Sequence, residues 1–232
     1  DVGFFSAGSD EAMNQNDVAI MDVLYVVARG TEAFEAARTA VDIVCAGDSL
    51  TGWNNFGPAW QWPYRTYPDF LQELCVPLGL RVANGGIAGE ISDNGPQQVR
   101  DYLDLFPNAR YFIIGMGTND LGTWPDTEFT SRRIIGNLGR MAQMVRDRGK
   151  QPILFNVPHV NEQMFPPRMV REVHGKRDYH NPQLKSFCDE HGIPLADICG
   201  LLRDEHFGDE LHPNDRGAKI IAGAVFQVLP KE

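Results

Sequence analysis

Short apolar runs alternate with longer amphipathic stretches along this chain from residue 41 onward. The first run, Val41–Ala46 (VDIVCA), is brief and rich in β-branched residues, which suits a strand buried on both faces of a parallel sheet. Similar runs at Arg81–Ala83, Tyr111–Gly115, Pro152–Asn156 and Pro194–Asp197 predict four more strands. Helical patterns fall at Tyr67–Leu78, Ile91–Leu105, Glu128–Arg148, Asn181–His191 and Asp215–Leu229. This is the βαβ rhythm, and right-handed crossovers place its helices on both faces of the sheet. The expected architecture is a three-layer α/β/α sandwich around a parallel sheet of about five strands.

The region before residue 41 follows a different pattern. Asp17–Ala28 is apolar nearly throughout and fits strand or helix, whereas Thr31–Ala40 reads as a short helix with Thr31 as its cap. Residues 1–40 are therefore expected to form an N-terminal arm ahead of a domain at 41–232. An arm with an apolar face could pack on the domain or on a second copy of the chain, so a homodimer is a further expectation.

Composition narrows the function classes. A net charge of −10 argues against a nucleic-acid surface, which calls for a basic patch. No apolar run reaches the roughly 18 residues that a membrane span needs. A basic segment followed by an apolar one is not visible at the start, which slightly favours a cytoplasmic location over secretion. Cys45, Cys75, Cys188 and Cys199 are scattered, as core cysteines are, and form no CxxC pair.

The candidate chemistry begins where the first strand stops, at Gly47-Asp48-Ser49-Leu50. Ala46 and Gly47 remove bulk, so the chain can turn sharply beyond the strand's carboxyl end, where α/β sheets bind ligands. A serine there needs a base for its hydroxyl and donors for a developing oxyanion. Three further stretches at strand ends could supply them. Asn84 through Gly89 (NGGIAG) offers backbone that can approach a bound group, and Gly117-Thr118-Asn119-Asp120 offers a side-chain amide. Asp209-Glu210-Leu211-His212 has a spacing that can bring a carboxylate to its neighbour's imidazole.

With those four blocks in order, the chain resembles the GDSL-type esterases and lipases of the SGNH hydrolase superfamily over residues 41 to about 229. The resemblance implies a flavodoxin-like fold, with Ser49 as nucleophile, His212 as general base and then acid, and Asp209 orienting His212. It also implies an oxyanion hole from the backbone N–H groups of Ser49 and Gly89 and the amide of Asn119. The α/β-hydrolase elbow G-x-S-x-G is excluded, because Thr51 stands where its last glycine belongs. The implied activity is hydrolysis of carboxylic esters through an acyl-enzyme. A thioesterase, a lysophospholipase and an inactive carbohydrate-binding domain are the alternatives.

The remaining features are less specific. Trp53, Phe56 and Trp60, in an aromatic-rich loop after Ser49, are candidate substrate-binding residues, and their bulk favours short acyl groups such as acetyl on a sugar or aryl alcohol. The stretch from Val157 to His180 reads as a long loop, a candidate lid or rim for a negatively charged part of the substrate. Asp48, Asn84 and Asp120 have turn-holding roles as their plain reading. No HExxH, Cys/His, GxGxxG or P-loop spacing occurs, so neither metal nor cofactor is expected, and the five histidines other than His212 are assigned surface or satisfied loop roles.

Overall fold

The computed structural model describes residues 31–53 and 62–230. The elements in chain order are α1 (Glu32–Thr39), β1 (Ile43–Gly47), the single turn α2 (Ser49–Gly52), α3 (Tyr67–Cys75), β2 (Val82–Gly86), α4 (Gly95–Leu105) and β3 (Tyr111–Gly115). They continue with α5 (Thr118–Thr123), α6 (Thr127–Asp147), β4 (Gln151–Phe155), α7 (Pro167–His191), β5 (Leu195–Ala196) and α8 (Asp215–Val228). The strands form one parallel sheet in the order β2-β1-β3-β4-β5. That is the expected flavodoxin-like order, whose reversal beside β1 opens a crevice at the strands' carboxyl ends.

Alternate strand residues feed two separate cores. Ile43, Cys45, Tyr111 and Ile113 pack with α3 and α8, through Phe70, Leu71, Ile221 and Val225. Val44, Ala46, Phe112 and Ile114 face the other way and pack with α4, α6 and α7, through Val99, Leu138, Met141 and Leu184. Burial on both faces accounts for the uninterrupted apolar strands.

At the carboxyl end the register aligns three glycines, Gly86, Gly47 and Gly115, across β2, β1 and β3. A Cβ on Gly47 would collide with Thr51 Oγ1 and the Gly115 carbonyl, and one on Gly86 with the backbone of Gly52. The absence of side chains there lets α2 sit directly on the sheet.

Two differences from the sequence reading stand out. β2 runs on through Asn84-Gly85-Gly86, residues with little strand preference, because each pairs with a residue of β1. The expected loop up to His180 is corrected: from Pro167 it is the first half of the 25-residue α7. Pro166 and Pro167 mark the helix start rather than a loop, since proline is tolerated in a first turn. Its basic residues do not line a rim uniformly either. Lys176, Arg177 and His180 are buried, and Lys176 Nζ donates to the carbonyls of Leu121 at 2.9 Å and Trp124 at 2.8 Å, capping the end of α5. A buried lysine and histidine at inward positions hid the apolar stripe that would have marked this helix.

Among the described residues, no helix is long and apolar enough to cross a membrane. Helix α1 has the expected Thr31 cap, which accepts the Phe34 N–H at 3.2 Å. It is tied to the loop before β3 by Asn108 Nδ2, which donates to the Thr39 carbonyl at 3.0 Å.

Candidate active site

Ser49 is the first residue of α2, and Asp48 caps that turn by accepting the Leu50 N–H at 2.9 Å. The cap fixes the chain's exit from β1 and places the Ser49 hydroxyl over the sheet's carboxyl edge. His212 comes from the segment before α8, 163 residues away, and its Nε2 lies 3.0 Å from Ser49 Oγ. Its Nδ1 lies 2.8 Å from Asp209 Oδ2. Asp209 Oδ1 also accepts the N–H groups of Leu211 at 2.8 Å and His212 at 2.6 Å. The local turn therefore holds the imidazole by both ring and backbone, as the three-residue spacing predicts. Asp209 is not the cap of α8; Asn214 is, accepting the N–H groups of Arg216 and Gly217.

Donors decide the charge on Asp209. Burial pushes its carboxyl up, but the His212 ring and the two N–H groups outweigh that and hold it below the usual carboxylate range. With Nδ1–H donated to this carboxylate, Nε2 is the nitrogen left to accept the Ser49 proton. A hydroxyl paired in this way with an oriented imidazole can be deprotonated as it attacks a carbonyl.

Aromatic rings enclose the pair. The Trp53 indole stacks on the His212 ring with centroids 3.5 Å apart and planes 6° from parallel. Trp62 meets the same imidazole edge-on at 6.0 Å and Trp53 at 6.2 Å. Tyr64 backs Trp62 and lies against Gly208, where any Cβ would meet the Tyr64 ring. Ser49 is only 3 % exposed and His212 7 %. Trp53 is thus placed at the site, on His212 itself, whereas Phe56 and Trp60 lie outside the described residues.

The two remaining loops converge on this edge. Gly89 sits in a turn with φ of 81°, a conformation glycine adopts without strain, and its N–H has no partner among the described residues. Asn119, near the start of α5, donates from Nδ2 to the Glu90 carbonyl at 2.8 Å, which pins the amide to the Gly89 turn. Sequence reasoning missed what holds these loops together. Asp120 is fully buried and accepts the Ser92 N–H at 2.9 Å and the Ser92 hydroxyl at 2.6 Å, while Asn137 Nδ2 donates to Ser92 Oγ at 2.9 Å. Burial still raises the Asp120 carboxyl above its ordinary range against those bonds. Asp120 is visible in its block, but nothing local marks Ser92 or Asn137 as its partners.

The chain belongs to the GDSL-like lipase/acylhydrolase family, whose family model matches residues 45–220. Solved structures with the same fold include a GDSL-like lipase from Bacteroides thetaiotaomicron, 19% identical, with a TM-score of 0.64 over 92% of this chain and 97% of that one. A carbohydrate acetylesterase from Sinorhizobium meliloti is 16% identical, with a TM-score of 0.62 over 81% of this chain and 97% of the other. An acetylxylan esterase from Geobacillus stearothermophilus, solved as a catalytic mutant, is 19% identical, with a TM-score of 0.63 over 84% and 96%. No curated protein matches the chain.

Proposed function

We propose that the protein is a serine esterase that cleaves short-chain carboxylic esters, such as acetyl groups on a carbohydrate or aryl alcohol. The observation that carries this reading is the continuous contact from Ser49 Oγ to His212 Nε2 at 3.0 Å and from His212 Nδ1 to Asp209 Oδ2 at 2.8 Å. Ser49 Oγ attacks the ester carbonyl as His212 takes its proton. The oxyanion that forms meets the N–H groups of Ser49 and Gly89 and the free N–H of the Asn119 amide, donors worth about 3 kcal/mol each in such sites. His212 then protonates the leaving alcohol, and a water activated by the same imidazole releases the acid. The positive charge on His212 during both steps faces the Trp53 indole, a cation–π contact worth about 0.5–2 kcal/mol.

The preference for a small acyl group is supported by the space beside the nucleophile. The indoles of Trp53 and Trp62 lie against the His212 imidazole beside Ser49, and their bulk favours a short acyl group over a long one. The fold shared with the two acetylesterases agrees with this choice.

Initial rates on p-nitrophenyl esters from acetate to palmitate test it. The parent should prefer acetate, and Ser49→Ala should lose turnover entirely. Equal or faster rates on palmitate would sink the short-chain reading. Failure of a serine-directed phosphonate to label Ser49 would sink the esterase reading in favour of an inactive binding domain.

A further inference from the structure

Behind the Asp209 loop the fold gathers side chains whose spacing shows no metal motif. His159 and Glu162 follow β4, and His174 lies in the first half of α7. One ligand-capable atom of each lies within 4.8 Å of those of the other two. His174 Nδ1 stands 3.3 Å from Glu162 Oε1. Metal–ligand bonds of about 2.0 Å in a tetrahedral site put neighbouring ligand atoms about 3.3 Å apart. The two imidazole rings are close, with centroids 5.0 Å apart.

The surroundings favour an ion as well. Asp204 Oδ1 lies 2.9 Å from His159 Nε2 and accepts the Glu162 N–H at 3.1 Å. A carboxylate that takes the N–H of one ring nitrogen leaves the other nitrogen its lone pair, which is how metal-binding histidines are oriented. His174 Nε2 is buried and has no partner among the described residues. The ion takes the opposite nitrogen, Nδ1, which faces Glu162 Oε1 at 3.3 Å.

We propose that His159, Glu162 and His174 form a transition-metal site, suited to Zn²⁺ or a similar borderline ion. Two imidazoles and one carboxylate fit Zn²⁺, Co²⁺ or Ni²⁺, whereas Mg²⁺ and Ca²⁺ take oxygen ligands. The fourth position falls to water. The ion is a brace and takes no part in ester cleavage. It joins α7 to the segment after β4, and that segment holds the Asp209 loop: the Asn161 N–H donates to the Glu210 carbonyl at 3.0 Å, and Asn161 Nδ2 to the Asp209 carbonyl at 3.4 Å. The link to catalysis rests on the esterase reading; the ion site itself does not.

The test uses untagged full-length protein, stripped with a chelator and titrated with Zn²⁺ and Co²⁺. One equivalent should bind, Co²⁺ should give the visible bands of a four-coordinate ion, and Tm should rise by about 5–10 °C at 100-fold excess over Kd. Glu162→Gln alters a half-exposed carboxylate that the fold does not depend on, and it should weaken binding at least about tenfold. His174→Gln should do the same, whereas His191→Gln, outside the cluster, should bind as the parent does. Parent protein that binds no stoichiometric ion would overturn the proposal. So would Glu162→Gln and His174→Gln proteins that bind as tightly as the parent. Neither readout involves ester hydrolysis, so failure here is distinct from failure of the esterase reading.

Discussion

The turn before Ser49 and the turn before His212 each contain an aspartate, and the two carboxyls are driven in opposite directions. Asp209 receives three donors and is held below the ordinary carboxylate range despite its burial. Asp48 is wholly buried, accepts the Leu50 N–H on Oδ1, and leaves Oδ2 without a partner among the described residues. Burial pushes it up to about 7. The same side chain is therefore an ionised orienter in one turn and, below about pH 7, a neutral strut in the other. The number of donors aimed at each carboxyl sets the difference.

The sharpest way to break that contrast is Asp209→Asn. It preserves size but removes the charge and the acceptor that fix the His212 tautomer, so kcat/KM should fall by about 10³- to 10⁴-fold with little change in Tm. Asp120→Asn probes an intermediate case, a buried carboxyl with both oxygens bonded to Ser92. The new amide can keep the Ser92 N–H on its oxygen but can only donate to the Ser92 hydroxyl, whose own proton loses its buried acceptor, costing about 1–3 kcal/mol, and Tm should fall by roughly 2–12 °C in a thermal melt. Asp48→Asn should change the rate least, by under about threefold. A rate loss there as large as that of Asp209→Asn would end the distinction between the two turns.

The Asp48→Asn variant has a pH signature whose sign is fixed. A carboxyl raised in the folded state binds its proton more tightly folded than unfolded. Its contribution to stability is complete below about pH 4 and is lost as pH rises through about 7. The loss amounts to something on the order of 2–4 kcal/mol. An amide at this position cannot ionise and escapes the loss, so denaturant melts should show the variant gaining on the parent between about pH 5 and pH 8. A difference independent of pH would mean that Asp48 does not titrate in this range.

Much of this arrangement is legible in the chain before folding. β1 and β3 stand out because burial on both faces leaves contiguous apolar runs. The blocks around Ser49, Asn119 and His212 are legible because each is local in sequence. What escapes is tertiary. Ser92 meets Asp120 across 28 residues, and Lys176 reaches the Leu121 carbonyl across 55. No periodicity encodes such contacts, and the buried polar residues that make them break the apolar pattern by which α7 would have been recognised.

The stack of Trp53 on His212 has a magnetic consequence. Protons held over an aromatic face are shielded by its ring current, so the carbon-bound ring protons of His212 should resonate upfield of those of an unstacked imidazole. His191 also lies on an aromatic ring, Phe187, but at a centroid distance of 4.2 Å rather than 3.5 Å and with planes 30° apart. Of the six histidines, His212 should then carry the most displaced pair of resonances, and Trp53→Ala should return them to the common range. The imidazole paired with Ser49 thereby becomes observable in the unlabelled protein, without any probe placed in the site.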